Sequence, residues 1–517
     1  MPNPTPTLLL LLLLLLPCAL STAHSPAAAT YSRSPSRQFY QTECLKVPIS
    51  QFLGTLQSTL DIIKDVTSII SNFGGFLGGH RLSNAISDCL DLLDFTTDAL
   101  SWSISASQNP KGKNNSTGDL SYDLKTWLSA AMVNPDTCIE GFEGTNTLLK
   151  SLVAGGLSQI TSSIQELLPN IDGKTPSGDG GFPAWVQHED RKLLAAINGV
   201  TPDVVVAKDG SGNFTAIMDA VAAAPEYSMK RFVIYVKGGV YNEYVEIKKK
   251  RWNIMMVGDG INRTIITGNR NFIDGWTTFR SATFAVSGRG FIARDMTFEN
   301  SAGPAKHQAV AFRSDSDLSV YYRVEVRGYQ DSLYTHTMRQ FYRDCVIRGT
   351  VDFIFGNAAA VFQNCSILAR KGLDNQKNTI TAHGKKDPNQ ATGYSIQFCS
   401  IGADADLLPF ANSSYTYLGR PWKNFSTTVV MQSYISAAVR PEGWLEWNGP
   451  MYLDTLYYGE YMNYGPGAAV GRRVRWPGFH LLNSSSEASN FTVAQFIEGN
   501  LWLPSTGVRY SAGFQQV

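Results

Sequence analysis

The chain is poor in the residues that build metal sites. Among its 517 residues there are seven cysteines and seven histidines. No Cys-x-x-Cys pair and no histidine cluster occurs, so a zinc site of the usual spacings is not expected. No Gly-x-Ser-x-Gly elbow is present, which counts against a serine hydrolase built on an α/β sheet. No nucleic-acid recognition motif is found. Long apolar runs are missing too, apart from the leucines at 8–16, and that run is too short to span a bilayer. It is followed by Pro17 and by the small residues Ser21-Thr22-Ala23. Residues 1–23 therefore read as a secretory signal cleaved after Ala23, although the segment before the leucines has no Lys or Arg. The product is expected to be soluble, exported and monomeric.

Net charge is almost absent, with 44 Lys+Arg against 43 Asp+Glu, but the balance conceals an asymmetry. Residues 24–192 carry 12 basic against 17 acidic groups, a net of −5; residues 193–517 carry 32 against 26, a net of +6. Opposite signs on two parts of one chain suggest that they face each other, and the basic part suits a polyanionic partner.

Cys18 leaves with the signal, and the six remaining cysteines allow 15 connectivities. Spacing favours Cys345 with Cys365, 20 apart, and Cys89 with Cys138, each in a helix-like segment. Cys44 and Cys399 are left over as buried thiols. Asn-x-Ser/Thr sequons recur, as expected of an exported chain; those within strands, such as Asn364, are expected to go unused.

From residue 42 to 168 the apolar pattern is helical. Ile49, Phe52, Leu53, Leu56, Leu60 and Ile63 repeat at three and four. Three further sets do the same, around Leu82–Leu93, Leu120–Leu128 and Leu148, Leu152, Leu157, Ile160, Ile164, Leu167. Four such segments with short connections predict a four-helix bundle over 24–168. Residues 169–194 form a Pro, Gly and Ser-rich linker ending near Arg191, Lys192, Leu193 and Leu194, a candidate site for a processing protease. From 195 to 517 the grammar changes to short β-branched and aromatic runs separated by Gly, Asn and Asp turns. Their spacing, irregular but near 20, predicts an all-β right-handed parallel β-helix rather than a sandwich.

Chemistry concentrates between residues 328 and 356. Asp331 and Asp352 lie 21 apart, and Gln308 and Gln330 lie 22 apart. One β-helix rung is about that long, and adjacent strands are ~4.8 Å apart. Stacked acids that close cannot both ionise easily. Much later comes Arg420, able to hold one aspartate ionised through a bidentate contact. Taken singly, each acid is better read as a turn or cap carboxylate, and Arg420 as a surface ion pair. Together, the spacing and the apolar settings QDSLY and VDFIF favour a catalytic pair.

Those segments carry a resemblance. Gly239-Val240-Tyr241-Asn242-Glu243, Gln308-Ala309-Val310-Ala311-Phe312-Arg313, Gly328-Tyr329-Gln330-Asp331-Ser332-Leu333-Tyr334, Gly349-Thr350-Val351-Asp352-Phe353-Ile354-Phe355-Gly356 and Leu418-Gly419-Arg420-Pro421-Trp422 resemble, in order, the plant pectin methylesterases. Ala85-Ile86-Ser87-Asp88-Cys89, the run from Asp123 to Ala131, and Thr137-Cys138 resemble the plant invertase/pectin methylesterase inhibitor domain. The resemblance implies hydrolysis of galacturonate methyl esters in pectin by an aspartyl esterase that needs no cofactor or metal. Asp352 would attack the ester, Gln308 and Gln330 would hold the oxyanion, and Asp331 would serve as proton donor and then base. Arg420 would orient Asp352. It further implies that Thr278, Gln308, Arg420 and Trp422 contact the substrate, and that Tyr334, Phe355 and Trp444 line the groove. Packing is a serious alternative for Phe355 and Trp444. The rival readings are a β-helix polysaccharide lyase or glycosidase, and an inactive wall-binding or inhibitor protein. Lys248-Lys249-Lys250-Arg251 reads first as a solvated charge run.

Overall fold

The computed structural model describes residues 44–73, 79–109, 117, 119–145, 147–172 and 201–516. The expected signal peptide, and the processing residues Arg191, Lys192, Leu193 and Leu194, lie outside the described residues. Among the described residues no helix is long and apolar enough to cross a membrane.

Helix α1 spans Ile49–Phe73, α2 His80–Gln108, α3 Leu120–Gly141 and α4 Leu149–Leu167. In α1 the buried Phe52, Leu56, Ile63, Val66 and Ile70 recur at helical spacing, so one stripe faces the bundle core. Asp119 caps α3 by accepting the Tyr122 N–H at 3.0 Å. A disulfide joins Cys89 of α2 to Cys138 of α3. The two ends of the bundle meet in an antiparallel bridge between Leu45 and Ile171. One detail of the sequence pattern is corrected: Leu148 and Leu152 are 80% and 54% exposed. The buried stripe of α4 instead runs Leu149, Val153, Leu157, Ile160, Ile164, Leu167, one position on at its start.

The second part is a parallel β-helix. One face is a seven-stranded sheet: β1 Val245–Ile247, β2 Phe284–Val286, β3 Phe312–Ser314, β4 Leu333–Thr335, β5 Ile354–Gly356, β6 Asn378–His383 and β7 Thr416–Gly419. The other two faces merge into one 17-stranded sheet, because the nine-residue strands Ile292–Asn300 and Ser319–Arg327 pair along both. Each bends at one residue with positive φ, Asp295 (58°) and Arg323 (50°), and Asp344, Asn364, Phe398, Gln432 and Met462 continue that corner. Asn364 thus lies in an exposed corner between strands rather than inside one, where Asn tolerates the left-handed conformation. Inside the coil aromatic rings stack rung on rung: Tyr321 on Tyr342 at 4.5 Å and Tyr342 on Phe362 at 4.7 Å.

The second expected disulfide is absent. Cys345 and Cys365 are buried free thiols, and so is Cys399. All three stand one residue before strands paired in register, at Val346, Ser366 and Ser400. They form a column in which each sulfur contacts a backbone carbonyl as well as its neighbouring thiol, with no covalent bond between them. Cys345 Sγ donates to Tyr321 O at 3.2 Å, and Cys399 Sγ to Phe362 O at 3.4 Å. The 20-residue spacing correctly signals a stack, but a stack of thiols satisfied by carbonyls behaves as small apolar packing.

Candidate active site

Rung length shapes the site. Reading the register Val245↔Phe284↔Phe312↔Leu333↔Ile354↔Thr381↔Gly419, successive steps are 39, 28, 21, 21, 27 and 38 residues, the differences of those numbers. The two shortest rungs are central. Longer rungs on either side must place their extra residues in loops, so the middle of the sheet is the floor of a cleft. Asp331 and Asp352 stand two residues before the paired Leu333 and Ile354, hence one above the other on that floor. Both are in the left-handed region, with φ of 61° and 51°. That is costly for most residues but tolerated by Asp, and it is found where a side chain must be re-aimed at a functional site.

The two carboxyls meet different surroundings. Arg420 grips Asp352 in a bidentate contact, Nε to Oδ1 at 2.8 Å and Nη2 to Oδ2 at 2.6 Å. Thr379 Oγ1 donates to Asp352 Oδ1 at 2.6 Å. Three donors on one carboxyl suit an anion. The guanidinium of Arg420 also lies 4.3 Å from the centre of the Trp447 ring, which fixes its plane. Burial pushes the Asp331 carboxyl well above its ordinary value, the adjacent Asp352 adds to the shift, and Arg420 opposes it. Stacked carboxyls that close do not both ionise easily, and it is the proton on Asp331 that these surroundings favour.

A cavity of about 460 Å³ joins these groups. Asp331, Asp352, Gln308, Gln330, Arg420, Thr278, Tyr334, Phe355 and Trp422 all line it. Gln308 and Gln330 are not stacked as their 22-residue spacing suggests: the register step here is 21, and it is Ala309 whose N–H bonds to Gln330 O, at 3.2 Å. The two amides nevertheless reach one cavity. Tyr334 and Phe355 pair in register and stack at 4.1 Å. Trp444 is corrected. It is buried, stacked on Tyr458 at 4.2 Å, with its indole N–H on Glu460 at 3.2 Å, so it belongs to the interior. Trp447, three residues on, is the one of these two that reaches the cavity. Sequence reasoning missed it, as it missed Thr379; the Trp-Leu-Glu-Trp run offered two candidates, and only the fold distinguishes them.

The bundle sits on this cleft. Arg81, Thr137, Glu140 and Glu143 complete the cavity wall. The apolar core of the bundle runs on without a break into Phe279, Val310, Tyr334 and Phe355. Acids of the bundle meet cations of the β-helix. Asp88 and Asp91 hold Arg280, both at 2.6 Å. Asp94 and Asp98 hold Lys249, both at 2.8 Å, so that lysine is engaged rather than solvated. Asp123 meets Arg339 at 2.8 Å, Asp136 meets Lys386 at 2.8 Å, and Glu140 meets Lys423 at 2.6 Å. The charge asymmetry of the sequence is spent across this contact. Thr137 Oγ1 also lies 2.9 Å from His336 Nε2, whose Nδ1 pairs with Asp315.

With this geometry in place, the comparisons with known proteins are informative. The family described as Pectinesterase matches residues 203–500, and that described as Plant invertase/pectin methylesterase inhibitor matches residues 18–170. The chain is 66% identical to the Pectinesterase/pectinesterase inhibitor PPE8B of Prunus persica, over 92% of this chain and 91% of that one. It is 60% identical to a probable pectinesterase/pectinesterase inhibitor of Arabidopsis thaliana, over 92% and 96%. Among solved structures it is similar to the pectin methylesterase from carrot, at 57% identity and a TM-score of 0.60, over 61% of this chain and 98% of that one.

Proposed function

This chain belongs to the pectinesterase family, and on that premise we propose how its residues act. As a pectin methylesterase it hydrolyses the methyl esters of galacturonate units in pectin, yielding methanol and free carboxylates. The bidentate clamp of Arg420 on Asp352, with the buried Asp331 one rung away, is the observation that carries the mechanism.

An Asp352 oxygen attacks the ester carbonyl carbon. The carbonyl electrons move onto oxygen, and the side-chain N–H groups of Gln308 and Gln330 stabilise that oxyanion. The C–O bond to the methoxy group then breaks as Asp331 delivers its proton, and methanol leaves. The acyl group is now an anhydride on Asp352. Asp331, now charged, takes a proton from water, which attacks the same carbon. Asp352 departs as a carboxylate and Asp331 is again protonated, so the site is restored. Arg420 keeps Asp352 ionised and aimed, and the aromatic Tyr334, Phe355 and Trp422 offer faces to sugar rings.

Residues 24–168 act as a pro-region, 169–194 as the linker to be cut, and 195–517 as the enzyme. With the bundle over the cleft, substrate cannot enter, and a tethered inhibitor has a high effective concentration. Release therefore needs cleavage by a processing protease. The leucine-rich leader fits export to the cell wall. One assay tests the whole reading. The full chain, with a specific protease sequence placed within 173–200, is incubated with methylated pectin before and after cutting. Methanol without chain scission, appearing only after cutting, is the expected result. Unsaturated ends would point to a lyase, and full activity before cutting would remove the inhibitory role.

A further inference from the structure

Asp352 is held from two sides, and only one of them is Arg420. Thr379 lies in β6, on the next rung. Ile354 pairs with Thr381, so Asp352 and Thr379, each two residues earlier, stand one over the other. The Thr379 hydroxyl closes a small ring with that aspartate. Its Oγ1 accepts the Asp352 backbone N–H at 2.9 Å and donates its own proton to Asp352 Oδ1 at 2.6 Å. With the amide proton on the oxygen lone pair, the hydroxyl proton is left aimed at the carboxylate. The threonine is not free to turn away. It is fully buried, and its β-branched side chain is stiff. Its backbone is tied to the rung of Asp352, the N–H donating to Thr350 O at 3.1 Å and the carbonyl accepting from Phe353 N–H at 3.3 Å. It takes no part in the cavity wall, so its hydroxyl serves Asp352 rather than the cavity.

The two oxygens of Asp352 are thereby made unequal. Oδ1 accepts from both Thr379 Oγ1 and Arg420 Nε. Among the described residues, Oδ2 accepts only from Arg420 Nη2. A carboxylate oxygen has about two lone-pair sites, so Oδ1 is filled and Oδ2 keeps a free pair.

We propose that Thr379 is a positioning residue that reserves Oδ2 of Asp352 for attack by occupying Oδ1, and that holds the carboxyl in place while it is acylated. This deepens the esterase reading of the same site and rests on it. An Oδ2 electron pair forms the bond to the ester carbon, and the methoxy C–O bond breaks as the Asp331 proton goes to the departing oxygen. Oδ2 has then lost its charge, and the Nη2 half of the Arg420 clamp weakens with it. Oδ1, now the carbonyl oxygen on the Asp352 side of the anhydride, still meets Thr379 Oγ1 and Arg420 Nε. When water attacks the substrate carbon and gives a proton to Asp331, the C–Oδ2 bond breaks and its electron pair returns to Oδ2. The same oxygen enters and leaves without the carboxyl turning.

The test compares wild type, Thr379→Val and Thr379→Ser in the full chain cut within 173–200 and freed of its bundle. Valine keeps the shape of threonine and lacks the hydroxyl; serine keeps the hydroxyl. A hydrogen bond to a charged group is worth enough that Thr379→Val lowers kcat for methanol release ~30-fold, while Thr379→Ser stays within about threefold of wild type. KM, and the affinity and stoichiometry of a de-esterified galacturonate hexamer measured by calorimetry, stay at their wild-type values in both variants. A kcat for Thr379→Val equal to wild type overturns the proposal. So does a loss matched by weaker binding or lower stoichiometry, which is the mark of a merely structural role, and so does a Thr379→Ser as slow as Thr379→Val. A wild type that releases no methanol would instead remove the esterase reading, and this proposal with it. Should the Val variant fold poorly, Thr379→Cys, whose thiol is a weak donor, carries the same decision.

Discussion

The two halves of this contact are built in opposite ways. The bundle presents four of its seven contacting acids from one short stretch: Asp88, Asp91, Asp94 and Asp98 fall at steps of three and four along α2 and so share one face, and the other three come from α3. The β-helix presents its cations from positions scattered over 175 residues, Lys249 to Lys423, brought together only by stacking of rungs. A helix face is encoded locally and can drift as a unit. A β-helix face needs every intervening rung to keep register, which ties the binding surface to the core.

That contrast can be broken from either side. The largest effect is expected in the catalytic floor: Asp352→Ala in the cut chain lowers methanol release by about a million-fold, the scale seen when a nucleophile acting within a unit is lost. Asp331→Asn follows, with a loss of about 1,000-fold, within the range for a positioned acid. Because the raised Asp331 must be protonated to donate, kcat/KM should fall as pH rises through its pKa. That alkaline limb should disappear in the variant, which a pH profile will read.

On the bundle side, Cys89→Ser opens a 49-residue loop and should cost the bundle about 4 kcal/mol, measured by denaturant melting of the full chain. Cys345→Ser in the β-helix should cost only ~1 kcal/mol, since no bond is lost. Arg280→Met should weaken retention of the cut bundle by about 30-fold in a dissociation assay, because the buried Asp88, with Asp91, is left without its cation.

The smallest effect concerns pH. Burial raises the carboxyls of Asp88 and Asp123 in the docked chain, against the opposing charges of Arg280 and Arg313 on the first and Arg339 on the second; Asp317 adds to the rise in the latter. A raised acid binds protons more readily docked than free, so docking tightens as pH falls through the interval above the ordinary carboxylate value of ~4 and loosens as pH rises. Retention of the cut bundle at several pH values checks the sign; loosening on acidification would contradict it.

Local periodicity was enough to read the bundle, because a helix states its buried face every three or four residues. Only its edge was misjudged, where Leu148 and Leu152 share the spacing of the core but point to solvent. The β-helix was legible as a period near 20, and the 21-residue step from Asp331 to Asp352 survives as a true register step. What spacing could not show is which way a stacked side chain turns. Cys345 and Cys365 stack, yet their sulfurs seek carbonyls. Trp444 and Trp447 lie three apart, yet one faces the core and the other Arg420.

The sequence alone therefore determined the two architectures, the opposite charges of the two parts, and the 21-residue step that stacks Asp331 and Asp352, because each is written in residue type and local period. The tertiary structure decided the rest. It decided that Arg420, 68 positions from Asp352, closes on that acid, that unequal rungs hollow a cleft around the pair, and that the bundle fills it. Those outcomes depend on where loops of different length carry the chain between rungs, and no local pattern records that.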